Sequence, residues 1–234
     1  MCLRARQAHV TESAVSLDPR QARTDRLARL RGLYAIVGDL DPVGRAEAVI
    51  AGGARVLQLR MKRSPAGAIL DAARRIAALA RGRALVLVND RPDLALLSGA
   101  DGVHLGDDDL PVPEARAIMG EELLVGRTVR SADGARVALA AGADHVGYGP
   151  VFASFTKVLD VAPCGLEALA ATCAAVPAPV VAISGITLEN VTAVARAGAA
   201  AAAVIGDLFD RGDPRSRAEA LAAAFARGAG GHPP

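Results

Sequence analysis

The chain has 234 residues, 52% of them hydrophobic but only 3% aromatic and none Trp, so it can form one large domain whose core is built from Ala, Val, Leu and Ile. A formal net charge of +2 is too small to argue for a nucleic-acid surface, and no uninterrupted apolar run is long enough to span a membrane. Cys2, Cys164 and Cys173 have neither paired nor metal-type spacing, which suits a reducing, cytoplasmic setting.

Residues 1–30 carry Arg4, Arg6, Arg20, Arg23, Arg26 and Arg29 among small and polar residues. The segment has no apolar stretch of the kind a secretory signal needs. Glu12, Asp18 and Asp25 argue against an Arg-rich organelle-targeting peptide. The expectation is a mobile extension that becomes a short helix near 24–31.

From Leu33 onward one pattern recurs: short apolar run, polar loop, Ala-rich helix. Strands are expected at 33–37, 55–59, 84–88, 102–105, 124–128, 145–149, 179–183 and 201–206. Helices are expected near 44–51, 65–81, 92–98, 112–119, 132–141, 165–175, 188–197 and 215–227. Eight such units predict an α/β fold, a single-domain (β/α)8 TIM barrel over 31–227, with 228–234 as a disordered tail. An open doubly wound sheet is the alternative, but no Gly-rich dinucleotide turn follows the first strand.

An internal repeat supports the barrel. Gly52-Gly53-Ala54-Arg55-Val56, Gly99-Ala100-Asp101-Gly102-Val103 and Gly142-Ala143-Asp144-His145-Val146 share one pattern, with Gly198-Ala199-Ala200 as a weaker copy. Each closes a helix and opens an even-numbered strand, where Gly tolerates the left-handed conformation past a helix end. The repeat therefore marks the floor of the barrel, and chemistry is expected at the opposite rim.

The rim is polar. Gln58, Arg60 and Lys62 alternate with Leu57, Leu59 and Met61, so a strand continued through them presents the three polar side chains together. Two cations on a buried strand need a counter-anion. Nothing nearby in the sequence supplies one, so the anion is expected to be a ligand. The third strand runs into Asn89-Asp90-Arg91 and the fourth into Gly106-Asp107-Asp108-Asp109. Carboxylates on neighbouring strand ends suit Mg²⁺ bound together with a phosphate. In the competing reading, Asp109 caps a helix and Asp90 pairs with Arg91.

Thr128 ends the fifth strand as a hydroxyl donor or a turn residue. After the sixth strand come Ser154, Thr156 and Lys157, a loop composition that suits a phosphate. Gly185 and Gly206 end the seventh and eighth strands, as tight turns or as places where bare amides reach an anion. His104 and His145 lie in apolar strands and read as core histidines. No zinc-type Cys/His set, nucleophile elbow or Walker loop is present.

Taken in order, Gln58–Lys62, Asn89-Asp90-Arg91, Gly102–Gly106 with Asp109, Gly149–Phe152, Thr156-Lys157 and Ala182–Ile186 resemble thiamine phosphate synthase over about residues 33–210. The resemblance implies a transferase on a (β/α)8 barrel that joins hydroxymethylpyrimidine diphosphate to hydroxyethylthiazole phosphate, with Mg²⁺, giving thiamine phosphate and diphosphate. It further implies that Gln58 contacts the pyrimidine and that Arg60, Lys62 and Asn89 hold the diphosphate. Asp90 and Asp109 would bind Mg²⁺, and Thr128 would stand near the reacting centre. Ser154, Thr156 and Lys157 would contact phosphate groups. Gly185 and the Ile205 and Gly206 amides would cradle the thiazole phosphate. Arg60, Lys62, Thr128 and Lys157 are the residues expected to carry catalysis. The implied partners are small molecules, with a homo-oligomer left open.

Four positions depart from the family pattern: Asp107 for Gln, Thr128 for Ser, Ser184 for Gly and Gly206 for Ser. Asp107 would add a carboxylate near the metal. A thiazole tautomerase on the same barrel and a non-catalytic thiamine-phosphate-binding barrel are the rival readings. The tautomerase would have little use for Gln58, Arg60, Lys62, Asp90 and Asp109 together.

Overall fold

In the computed structural model, which describes residues 18–153 and 162–230, the short apolar runs become eight parallel strands. They are β1 (Gly32–Val37), β2 (Val56–Leu59), β3 (Leu85–Asn89), β4 (Gly102–Leu105), β5 (Leu124–Val129), β6 (His145–Tyr148), β7 (Val180–Ile183) and β8 (Ala201–Val204). They pair in chain order and β8 returns to β1, closing the barrel. Val-, Leu- and Ala-rich strands with both faces covered need no alternation of polar and apolar residues. All four residues of β2, β4, β6 and β8 are accordingly buried.

Ten helices are described: α1 (Pro19–Ala28), α2 (Pro42–Ala51), α3 (Ala66–Ala80), α4 (Pro92–Ser98), α5 (Val112–Met119), α6 (Ala132–Ala140), α7 (Gly165–Ala175), α8 (Val191–Arg196), α9 (Gly206–Phe209) and α10 (Pro214–Ala229). Local chemistry starts several of them. Asp41, Ser131 and Asp213 cap α2, α6 and α10 by accepting from Gly44, Gly134 and Ser216 amides. Pro follows the cap in α2 and α10, where its fixed φ suits the first turn.

Among the boundaries that differ from expectation, three have a direct physical reason. Helix α1 begins at Pro19 rather than near 24, because Asp18 accepts from the Arg20 amide and Pro19 opens the first turn. Helix α10 continues to Ala229, so Gly228 belongs to a packed helix rather than a tail. A Cβ there would stand 2.4 Å from the Thr192 carbonyl oxygen. Strand β8 stops at Val204, and Gly206 opens the short α9 instead of ending a strand.

The floor is built by α1 and the repeat. Asp101 and Asp144 accept from the Val86 and Val125 amides at 2.9 and 2.7 Å, pinning the starts of β3 and β5. The same carboxylates receive α1, through Arg26 to Asp101 at 3.2 Å and Arg23 to Asp144 at 3.6 Å. Below them Leu30 is 2% exposed. It joins the barrel interior of Tyr34, Val56, Leu85, Leu124 and Val181, with Leu27 packed beside it. A separate, larger apolar layer fills the space between strands and helices. With the floor plugged, the open end is the rim where the strands finish.

Candidate active site

A cavity of about 750 Å³ opens at that rim. Gln58, Arg60, Lys62, Asn89, Asp90 and Asp109 line one side; Ser184, Gly185, Ile205 and Gly206 line the other, with Thr128 between. The strand ends thus bring the expected groups into one space. Ser154, Thr156 and Lys157 lie outside the described residues.

The basic segment starts on β2. Gln58 is 5% exposed and donates from Nε2 to the Tyr34 hydroxyl at 2.8 Å. Burial raises the Tyr34 pKa well above its ordinary value, opposed in part by that hydrogen bond, so its hydroxyl stays neutral. The strand ends at Leu59, one residue before Arg60. The Arg60 amide still reaches the Val37 carbonyl at 2.8 Å. This extension preserves the alternation: Arg60 and Lys62 line the cavity while Met61 packs on the core.

The expectation that nothing local neutralises the cations needs correction. Lys62 Nζ lies 2.7 Å from Asp90 Oδ2. The pairing is invisible in sequence because β3 brings Asp90 alongside β2 only through the sheet. Arg60 has no ion pair among the described residues.

Asp90 occupies a left-handed conformation, φ 65°, which Asp tolerates better than most residues. It does not pair with Arg91, which instead chelates Asp93 at 2.6 and 2.9 Å. Asp109 does not cap a helix either. The cap position of α5 is Pro111, and Asp109 Oδ2 accepts from the Gly106 amide at 2.6 Å within its own turn. Burial and a hydrogen bond with Asp90 push the Asp109 carboxyl above the ordinary range, against the pull of Gly106 and Lys62. Two carboxylates close together beside one lysine form a site whose mutual repulsion a divalent cation would relieve.

Asp107 also departs from expectation. Its carboxylate pairs with Arg130, and among the described residues no group of three His, Cys, Asp or Glu side chains could hold a metal. Asp107 lines the same cavity as Asp90 and Asp109, but its carboxylate is engaged with Arg130. Its backbone carbonyl and that of Leu110 each receive Arg127 at 3.4 Å. Arg127 and Arg130, both from the end of β5, support the loop that carries Asp109.

Opposite lies a cradle of backbone. Gly185 has φ 67°, and a Cβ there would stand 2.4 Å from the Ala153 carbonyl oxygen; only Gly fits. Its neighbour Ser184 also sits at positive φ, 78°, an unfavourable place for Ser. Asn190 fastens this turn by donating to the Gly185 carbonyl at 2.9 Å and accepting from the Thr187 amide at 2.9 Å. Asp207, 8% exposed, accepts from the Leu188 amide at 3.1 Å and from Arg217 at 2.7 and 3.0 Å. The loops after β7 and β8 are thereby tied together under the Ile205 and Gly206 amides.

A family model described as thiamine monophosphate synthase matches residues 33–208 of this chain. The chain belongs to the thiamine monophosphate synthase family. Among its relatives, the thiamine-phosphate synthase of Anaeromyxobacter dehalogenans is 63% identical over 94% of this chain and 96% of its own length. That of Myxococcus xanthus is 49% identical over 85% of this chain and 94% of its own. The solved structure of thiamine phosphate pyrophosphorylase from Pyrococcus furiosus superposes with a TM-score of 0.79 at 33% identity, covering 86% of this chain and 98% of that one. A member of the thiamine monophosphate synthase family is an enzyme, a transferase of thiamine biosynthesis. No helix among the described residues is long and apolar enough to cross a membrane.

Within this synthase fold, Tyr34, Asp207 and Arg217 contribute without being among the expected site residues. Tyr34 is one of only two Tyr in the chain, and a Tyr inside an apolar strand signals a polar tip seeking a partner. Asp207 and Arg217 gave no comparable signal, since Asp207 follows a Gly and Arg217 lies within an ordinary charged helix.

Proposed function

We propose that the chain joins hydroxymethylpyrimidine diphosphate to hydroxyethylthiazole phosphate, releasing diphosphate, at the cavity on the barrel rim. The observation that carries this reading is the meeting of Lys62, Asp90 and Asp109 at one edge of a cavity whose other edge is bare backbone amide.

Gln58, held through Nε2 by Tyr34, presents its carbonyl oxygen to the amino group of the pyrimidine. Arg60, Lys62 and Asn89 take the diphosphate oxygens. Asp90 and Asp109 would hold Mg²⁺, and their shared, partly buried position fits it. Mg²⁺ usually takes one or two carboxylates and completes its shell with water and phosphate oxygens. When bound, the ion neutralises charge on the departing diphosphate.

The C–O bond between methylene and diphosphate breaks with its electron pair leaving on oxygen. The ring amino group donates electrons to the methylene as it does so. The thiazole nitrogen lone pair then forms the new C–N bond. No protein nucleophile is used: the side chains align the partners and stabilise the charge that develops on the leaving group. Thr128 stands between the two halves. The Gly185, Ile205 and Gly206 amides receive the thiazole phosphate, and Ser154, Thr156 and Lys157 take phosphate groups of the two substrates. This use of both cations and both carboxylates favours the synthase over a tautomerase, which has no diphosphate to bind.

Mixing both substrates with the enzyme and Mg²⁺ is expected to release diphosphate and thiamine phosphate in equal amounts. Absence of both products at micromolar enzyme would overturn the reading.

A further inference from the structure

Beneath Thr128 a polar column descends into the barrel. His104 Nε2 is 3.0 Å from Thr128 Oγ1, and His104 Nδ1 is 3.5 Å from His145 Nε2. His104 is 7% exposed and His145 is fully buried. The backbone makes room for both rings. A Cβ at Gly126 would stand 2.2 Å from His145 Nε2 and 2.6 Å from His104 Nδ1, and one at Gly147 would stand 2.9 Å from His104 Cε1. Two strands have given up side chains at the level where the rings meet.

Both rings are buried, and the partners of their nitrogens are only each other and the Thr128 hydroxyl, so no carboxylate holds a second proton on either ring. Burial pushes His104 down to about 4, with Asp109 opposing and Arg127 assisting. Burial and then His104 push His145 well below its ordinary value. Each ring therefore carries one N–H, and only two arrangements place a single proton between them. In one, His104 donates from Nδ1, which leaves His145 with its N–H on Nδ1. That atom has no hydrogen-bond partner in the described structure. In the other, His145 donates from Nε2 and its Nδ1 is a bare lone pair. A buried N–H without an acceptor is the rarer and costlier orphan.

We propose that His145 is a positioning residue for Thr128: it donates from Nε2 to His104 Nδ1, fixing the His104 proton on Nε2, which donates to Thr128 Oγ1 and turns the Thr128 hydroxyl proton toward the cavity. Thr128 is then preset as a donor to an anionic oxygen. Its catalytic consequence rests on the proposed place of Thr128 beside the reacting centre; the proton arrangement does not. A hydroxyl that accepts from below cannot point its proton back at His104, which frees it for the cavity and lessens the reorganisation needed when negative charge develops.

The test uses side-chain ¹H–¹⁵N NMR of the histidines in the full-length, ligand-free protein, together with steady-state kinetics. In the wild type, His104 and His145 should both show the Nε2–H tautomer at pH 7.5. His145→Phe should convert His104 to a mixture of tautomers and lower kcat roughly tenfold, the size of one net hydrogen bond, with KM for both substrates within about twofold. His145→Gln, whose amide nitrogen can take the place of Nε2, should restore both the tautomer and the rate. A wild-type His104 protonated on Nδ1 would overturn the proposal, as would a His145→Phe enzyme with unchanged tautomer and kcat. The wild-type spectrum decides the matter even if the Phe variant does not fold. It also stands apart from the synthase reading, because it needs no turnover.

Discussion

Lys62 Nζ and Asp90 Oδ2 lie 2.7 Å apart, so a cation proposed for diphosphate and a carboxylate proposed for Mg²⁺ are paired with each other. If those two roles hold, ligand binding would be an exchange in which Asp90 is released to Mg²⁺ and Lys62 to the diphosphate. Each ligand removes the partner that restrains the other's site. Calorimetric titration should find Mg²⁺ binding on the order of tenfold tighter with diphosphate present than alone. Equal affinities in the two titrations would show that the ion pair does not gate either site.

Lys62→Ala and Asp109→Ala should each lower kcat/KM by about 10²-fold or more, the usual cost of losing one preorganised charge contact. The Lys62 side chain is 49% exposed, so thermal unfolding of that variant should be almost unchanged. Full activity and metal dependence in Asp109→Ala would leave Asp109 with only its Gly106 turn.

Asp107→Gln breaks the ion pair with Arg130, in which the two side chains are 41% and 53% exposed. An exposed pair contributes about 0–1 kcal/mol, so stability should hold. Turnover should also persist, since the Asp107 carboxylate is engaged with Arg130 rather than with Lys62. Collapse of kcat in this variant would give the loop latch a catalytic role.

Ser184→Gly should stabilise the fold. A non-Gly residue at φ 78° carries a cost of about 1 kcal/mol that Gly avoids, offset in part by the greater entropy of Gly in the unfolded chain. A melting temperature that rises by a degree or two, with activity kept, is the expected outcome. A fall would mean that the Ser side chain makes a stabilising contact.

The histidine column predicts acid lability. A folded-state pKa depressed to about 4 for His104, and lower than normal for His145, means that the unfolded chain takes up protons first as pH falls below about 6.5. The stability from burying neutral rings is complete above that pH and is lost as pH falls toward 4. The slope approaches about 1.4 kcal/mol per pH unit for each ring. Urea unfolding at pH 7, 6 and 5 should show this decline. His145→Phe should roughly halve the slope.

How much of this was legible beforehand depends on the distance over which each relationship acts. The strand pattern and the alternation of Gln58, Arg60 and Lys62 are local, and they survive in the folded chain even where β2 itself ends early. The floor role of Asp101 and Asp144 could be placed through the repeat, but their grip on Arg26 and Arg23 could not, because an Arg-rich segment looks like solvent-facing tail. Lys62 with Asp90 and Asp107 with Arg130 are pairings that only the alignment of neighbouring strands creates, and Asp207 meets Arg217 only through the turn from α9 into α10. The two histidines are 41 positions apart and meet because β4, β5 and β6 are neighbours. Gly126 and Gly147 carry no signal of their own in the sequence, since the space they leave is defined by rings from other strands.

Leu30→Ala tests the plug. Leu30 is 2% exposed inside the barrel floor, and truncating such a side chain costs about 2–5 kcal/mol. Stability should fall by that amount while KM for both substrates is unchanged. Loss of substrate affinity instead would mean that the floor and rim move together.

The plug has a practical corollary. Helix α1 lies across the sealed end of the barrel, and α10 runs back to that end from the rim. Both outermost described helices therefore lead away from the cavity mouth. An enzyme tethered to a surface, or fused to a second protein, through a linker joined to either helix would keep its mouth facing solution, free to exchange two substrates and two products.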